Sequence, residues 1–234
     1  MIWLGDYQSS LPKINRNRLK KDEKINHLPY YRFIYSDKHF VWSINTKKFL
    51  EKCFLIRQSI INNNKPINLI NLKKFNLKRN NIFIFDTWPK SKHLFARSDD
   101  YTSLSTIKNF IEDITKEMNK ISNESFKLFV KTKHYNLKQT KHKTDYINFL
   151  IQLEKKNKML KILNSSDDYL KYLNSSKLCI CYPFTSASAI SKFYKIKTFY
   201  YDPTGTLINN SFDKKIKLIK SKKELRRIIK KNFN

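Results

Sequence analysis

The chain has 234 residues, 40% hydrophobic and 14% aromatic, which is enough apolar material for a packed core and excludes a wholly disordered polymer. Its 48 Lys and Arg against 19 Asp and Glu give a formal net charge of +29, which calls for an anionic partner: nucleic acid, anionic lipid or a phosphorylated substrate. No run approaches the ~20 apolar residues of a membrane span and no signal peptide opens the chain, so a cytoplasmic protein is expected.

The chain is also crowded with Lys, Asn, Ile, Phe and Tyr and has only 2 Gly, a bias that AT-rich coding would produce, so part of the charge can be mutational drift. Cys53, Cys179 and Cys181 form no CxxC pair and are read as reduced, buried fillers. No Asp-x-Asp pattern occurs, so no metal and no cofactor is expected.

Residues 1–36 mix aromatics with a basic run at residues 13–24 and carry no sustained period; they read as a connector or the remnant of a missing N-terminal domain. Apolar runs then predict strands at residues 40–42, 67–70, 82–85, 126–131, 178–182 and 198–201. Between them Ile107, Phe110, Ile111, Ile114, Met118 and Ile121 recur at helical spacing after the start signal Thr102/Ser103. Further helices are predicted at residues 146–156, 168–173 and 187–194. A final, C-terminal helix has a capping box, Ser221 with Glu224, ahead of Leu225, Ile228 and Ile229.

Strand runs that are nearly continuous in apolar residues suit a parallel sheet covered on both faces. The expected fold is therefore α/β, a Rossmann-like doubly wound sheet over residues 37–234. In such sheets ligands sit beyond the carboxyl ends of the strands, which is where chemistry is sought.

Residues 182–190 form a strand-turn-helix joint in which Thr185 and Ser186 stand at the helix start, with small Ala187 and Ala189 following. Hydroxyls, unbonded N–H groups and the helix dipole can together hold an anion there, or the two residues simply cap the helix. Lys131, Lys133 and His134 come just past a strand end, where a lysine can neutralise a diphosphate leaving group; a solvated basic loop is the competing reading, and His93 and His142 read as structural. Asp86 can accept a sugar hydroxyl, act as a base, or cap its own turn. Asp202-Pro203-Thr204-Gly205 is a turn by composition, with Asp202 bonding its own backbone.

Taken together, residues 174–186 and 196–205, with the strand–Ser/Thr turn–helix–strand order ending in Tyr200-Tyr201-Asp202-Pro203-Thr204-Gly205, resemble the second domain of bacterial surface-polysaccharide glycosyltransferases. Their wider relatives are capsule and teichoic-acid polymerising transferases of the GT-B fold. Asp37 to Ser43 is similar to the strand opening that domain, without the Gly often found near position 43; residues 82–89 resemble its strand ending in a polar tip at the inter-domain cleft; residues 129–135 resemble its strand followed by basic residues.

The resemblance implies that Thr185, Ser186, Lys131, Lys133 and His134 bind the donor phosphates and that Asp86, Thr87 and Asp202 line the donor cleft. It implies a nucleotide sugar as substrate, a glycan or lipid-linked acceptor, and an acceptor domain largely missing here. That half is truncated away or supplied by a partner chain, or the chain is a non-catalytic nucleotide-sugar-binding remnant. Asp6 and His27 are the base candidates before residue 37. Residues 214–231 hold 10 Lys/Arg against Glu224, which suits peripheral attraction to the anionic inner face of the plasma membrane. The alternative is a basic nucleic-acid-binding protein, but no RNP, zinc-ligand or helix-turn-helix pattern supports a specific one.

Overall fold

The computed structural model describes residues 2–4, 13–14, 38–41, 47, 59–62, 79–89, 103–121, 126–132, 141–164, 167–183, 185, 187–208 and 216–233. In chain order the elements are β1 (Ile2–Leu4), β2 (Lys13–Ile14), β3 (Lys38–Val41), β4 (Ser59–Asn62), β5 (Asn81–Phe85), α1 (Leu104–Asn119), β6 (Leu128–Lys131), α2 (Lys141–Lys156), β7 (Leu160–Leu163), α3 (Tyr169–Asn174), β8 (Ser176–Cys181), α4 (Ala187–Phe193), β9 (Lys197–Tyr201), β10 (Leu207–Ile208), β11 (Lys217–Ile219) and α5 (Lys222–Phe233). The strand predicted at residues 67–70 lies outside the described residues, as do Asp6, His27, Cys53, His93, Lys133, His134 and Ser186.

The core is a six-stranded sheet in the order β11-β9-β8-β5-β6-β7, with every pair parallel. The chain starts this sheet at β5, steps outward to β6 and β7, returns to β8 on the other side of β5 and continues to β9 and β11. The winding direction therefore reverses between β5 and β8. This is the doubly wound fold expected from the apolar runs, and the crevice outside the carboxyl ends of β5 and β8 is its switch point.

Register sorts the strand side chains into two faces. Ile82, Ile84, Leu128, Val130, Leu178 and Ile180 share one, in register across β5, β6 and β8; Phe83, Phe85, Phe129, Cys179 and Cys181 share the other. The second face is covered by α3 and α4: Tyr172 packs on Phe129 at 4.7 Å between ring centroids, Tyr169 on Phe85 at 6.2 Å, and Ser191 donates to Cys179 Sγ at 3.1 Å. The first is covered by α1, α2 and α5, with Phe110 of α1 set edge-on against Tyr182 and stacked on Tyr201. Ile82, Ile84, Ile107, Phe110, Ile111 and Ile114 are fully buried, which contributes roughly 1.5–3 kcal/mol per side chain.

The caps of α1 and α5 are those the sequence signals, and α3 has one as well. Ser103 accepts from the Thr106 N–H at 3.1 Å to start α1, and Asp168 accepts from Leu170 N–H at 3.2 Å to start α3. At α5, Ser221 accepts from Glu224 N–H at 3.2 Å, while the Glu224 carboxylate reaches back to the Lys220 N–H at 3.3 Å, one residue earlier than a capping box requires.

Four elements differ from expectation. β3 forms where a strand is predicted, yet it pairs with β1 and β4 in a separate three-stranded parallel sheet rather than opening the main one. β2 pairs antiparallel with β10, so the basic N-terminal segment is joined by backbone bonds to the turn after β9. β7 and β11 are edge strands with exposed Lys161 and Lys217 among their apolar residues, and this interruption hides them from a search for continuous runs.

Candidate functional site

Because the strands are parallel and in register, their carboxyl ends form one line. Leu163, Lys131, Phe85, Cys181, Tyr200 and Leu218 are successive partners across β7, β6, β5, β8, β9 and β11. Lys131 and the root of the Thr185 turn thus flank the tip of β5 on either side, two strand spacings or about 10 Å apart. Thr185 is half-buried.

The Thr185 turn is held from within. Its hydroxyl donates to the Tyr182 carbonyl at 3.0 Å, and its own carbonyl accepts from the Ser188 N–H at 3.2 Å and the Ser188 hydroxyl at 3.0 Å. Ser188 and Tyr200 of β9 share a further hydrogen bond of 2.6 Å. Thr185 therefore caps its own turn, and its oxygen retains acceptor capacity beyond the hydrogen it gives away. Beneath it lie the Cys179 and Cys181 thiols, 3.7 Å apart and both buried; burial, then the Cys179 neighbour, push the Cys181 thiol well above its ordinary value and keep it protonated. This agrees with the reading of both as reduced fillers.

Lys131 lies on the α3 face. Its ammonium donates to the Asn164 carbonyl at 3.2 Å and sits 5.7 Å from the centre of the Tyr169 ring. Partial burial lowers its pKa, opposed by the charges of Asp167 and Asp86. The result is a cation fixed at the strand end by a carbonyl and a ring, its charge felt by the carboxylate of the next strand.

Asp86 follows β5 directly and is buried at 6% exposure. Its Oδ2 accepts from the phenol of Tyr146 on α2 at 2.6 Å, and the Trp88 ring stands edge-on to Tyr146. Burial, then the Asp86 charge, push the Tyr146 phenol well up, so it remains a donor. Thr87 is half-buried at the rim. Thr132, the residue after Lys131, is 1% exposed, and its hydroxyl has no hydrogen-bond partner among the described residues.

Asp202 is fully buried in the turn after β9. Its Oδ1 accepts from the Thr204 N–H at 2.9 Å and hydroxyl at 2.6 Å, and its Oδ2 from the Leu207 N–H at 2.8 Å. The carboxylate organises its own turn, as the Asp-Pro-Thr-Gly composition indicates, and these bonds point it away from a cleft-lining role. Gly205 has φ +68°, the left-handed conformation such a turn needs.

The structure thus gathers Asp86, Thr87, Lys131 and Thr185 at the switch point. Tyr146, Tyr169 and Thr132 join them without being singled out from sequence: the two tyrosines read as ordinary apolar-face residues, and Thr132 is masked by the lysines around it. No cluster of three or more His, Cys, Asp or Glu able to hold a metal occurs among the described residues, and no helix among them is long and apolar enough to cross a membrane.

Comparison with solved structures gives the same architecture. The UDP-GlcNAc 2-epimerase of Methanocaldococcus jannaschii, solved with UDP-GlcNAc and UDP, superposes with a TM-score of 0.53 at 14% identity, covering 85% of this chain and 55% of the epimerase. The Glycosylation Associate Protein (Gap123) complex of Streptococcus agalactiae gives a TM-score of 0.52 at 13% identity, covering 90% of this chain and 42% of that one. The chain therefore spans about half the length of these relatives, and the likeness establishes the Rossmann-like fold. No curated protein matches the sequence. A family model described as "Polysaccharide biosynthesis PFTS motif protein" matches residues 6–229, and Pro183, Phe184, Thr185 and Ser186 spell those letters in the sequence two residues after Cys181. By this match, which covers nearly the whole sequence, the chain belongs to the polysaccharide biosynthesis PFTS motif family.

Proposed function

We propose that the chain is the donor-binding half of a GT-B-like glycosyltransferase that builds a surface polysaccharide from a nucleotide sugar. The observation that carries this reading is the row of strand ends: Cys181, two residues before Pro183 in the sequence, aligns with Phe85 and Lys131 across the winding reversal, and Asp86 follows Phe85 at the tip of β5. A diphosphate set against the turn would meet hydroxyls and backbone donors on one side and a fixed cation on the other, which stabilises a departing nucleotide. The solved epimerase of similar fold holds UDP-GlcNAc and UDP, in keeping with a nucleotide-sugar ligand here.

The proposed donor-binding unit is the six-stranded sheet from β5 onward, narrower than residues 37–234 because β3 and β4 pair with β1. Within it Thr185, Ser186 and Lys131, with Lys133 and His134 following, take the phosphates, and Asp86 and Thr87 the sugar side. The acceptor and its general base come from a second half, consistent with a chain that spans about half of its structural relatives. Exposed Lys223, Lys230 and Lys231 on α5 would attract it to the anionic cytoplasmic face of a membrane bearing the acceptor.

The test is thermal unfolding of the full chain with UDP, CDP, GDP, ADP and CMP, repeated on Thr185→Ala/Ser186→Ala. At least one nucleotide should raise Tm in the wild type and fail to do so in the double variant. Full nucleotide affinity in the double variant would refute the site. The net charge of +29 favours a second reading, general nucleic-acid binding. It predicts steeply salt-dependent binding to mixed oligonucleotides and no response to any nucleotide.

A further inference from the structure

Asp86 and Thr132 occupy the row one residue beyond the register pair Phe85 and Lys131, on adjacent strands. Alternation places both on the face of Ile84 and Val130, and the bond from Tyr146 of α2 to Asp86 locates the Asp86 carboxylate there. Neighbouring parallel strands lie about 4.8 Å apart, so the backbones of Asp86 and Thr132 are separated by about one strand spacing. Tyr146 fixes one carboxylate oxygen at 2.6 Å and Trp88 packs behind it, so the Asp86 orientation is set before any ligand arrives. The Thr132 hydroxyl, 1% exposed, has no partner among the described residues. A buried hydroxyl without a partner is costly, and a site that meets its partner only when a ligand binds gives that cost a purpose.

We propose that Asp86 and Thr132 form a subsite for ligand hydroxyls, with Asp86 accepting from one hydroxyl and Thr132 bonding its neighbour, while Tyr146 acts as the positioning residue for Asp86. This rests on the nucleotide-sugar reading above and deepens it: the PFTS turn takes the phosphates, and this pair reads a diol of the ribose or the transferred sugar. A site of this kind rejects an analogue that lacks the hydroxyl, because the Thr132 hydroxyl then stays buried without a partner among the described residues.

The experiment compares wild type, Thr132→Val and Thr132→Ser as full chains, measuring Tm without ligand and affinity for UDP, CDP, GDP, ADP and for UDP-glucose and GDP-mannose. Valine keeps the shape and removes the hydroxyl, so the ligand-free Tm should be equal to or above that of wild type, while affinity falls about tenfold and is restored by serine. A loss confined to nucleotide sugars places the hydroxyls on the hexose; a loss that extends to the free diphosphates places them on the ribose. A lower ligand-free Tm in Thr132→Val, or unchanged affinity for every compound the wild type binds, overturns the subsite. If unchanged affinity in Thr132→Val accompanies loss in Thr185→Ala/Ser186→Ala, the subsite alone fails. A wild type that binds none of the compounds removes the subsite together with the nucleotide reading.

Discussion

The guanidinium of Arg226 on α5 holds the carboxylate of Glu117 on α1 at two points, Nε to Oε2 at 2.5 Å and Nη2 to Oε1 at 3.1 Å. One turn earlier on each helix, Lys222 meets Asp113 at 2.8 Å, and Asp113 also accepts from Tyr201 of β9 at 2.7 Å. The helix that looks uniformly basic in sequence thus directs two cations at a pair of buried acids, and this joins α5 to α1 and to the sheet.

Glu117 is held down to about 2, from an ordinary 4.5, chiefly by the hydrogen bond from Arg226, with Lys120 adding to it and burial opposing. A lowered carboxylate pKa stabilises the fold above pH 4.5, and that contribution is lost as pH falls toward 2. Glu117→Gln should lower Tm at pH 7 by about 2–4 °C and flatten the acid limb of the stability curve. Thermal unfolding at a series of pH values checks this; an unchanged acid limb would show that the pair does not contribute.

Lys131→Met removes the cation from the strand-end row while keeping an unbranched side chain of similar length. Nucleoside diphosphate affinity, measured by titration calorimetry, should drop about tenfold, with CMP affected less because it carries fewer phosphate charges. Equal affinities for wild type and variant would take Lys131 out of the donor site.

Gly205→Ala places a Cβ at a residue with φ +68°, 3.1 Å from the Lys220 carbonyl oxygen. A left-handed conformation costs a side chain about 1–2 kcal/mol, and the close contact adds to this. The urea midpoint should fall by a corresponding amount with the slope preserved. A midpoint equal to wild type would mean that the turn after β9 adjusts freely.

Tyr146→Phe deprives the buried Asp86 of its phenol donor. Unfolding free energy at pH 7 should decrease by about 1–3 kcal/mol, and nucleotide-sugar affinity should decrease with it because Asp86 loses its fixed orientation. If stability falls while affinity holds, Tyr146 serves the core alone.

Apolar runs and turn chemistry are local properties, and they made most of the main sheet legible. The runs at residues 82–85 and 178–182 became β5 and β8 because four or five consecutive buried residues suit a strand covered on both faces, and the run at 198–201 became β9 with Tyr200 and Tyr201 buried. Ser103 and Ser221 announced their helices because a capping hydroxyl acts on N–H groups three residues away. Asp202 and Gly205 likewise fixed their turn mainly through neighbours no further than Leu207; the longer-range contacts are the Asp202 N–H, which donates to the Ile219 carbonyl, and the Lys220 carbonyl beside Gly205.

Contacts between distant segments were not legible, since nothing local encodes them. The apolar run that includes Phe40 predicts a strand equally well in either sheet, and only pairing with β1 and β4 assigns it to the small one. Tyr146 and Asp86 are 60 residues apart, Arg226 and Glu117 109, and neither partner carries a mark of the other in sequence. The amino-acid order specified a basic, Rossmann-like chain with a hydroxyl-bearing turn after β8. Folding decided which acids absorb its charge and which groups stand beside that turn, because strand order and register are collective choices of the whole sheet.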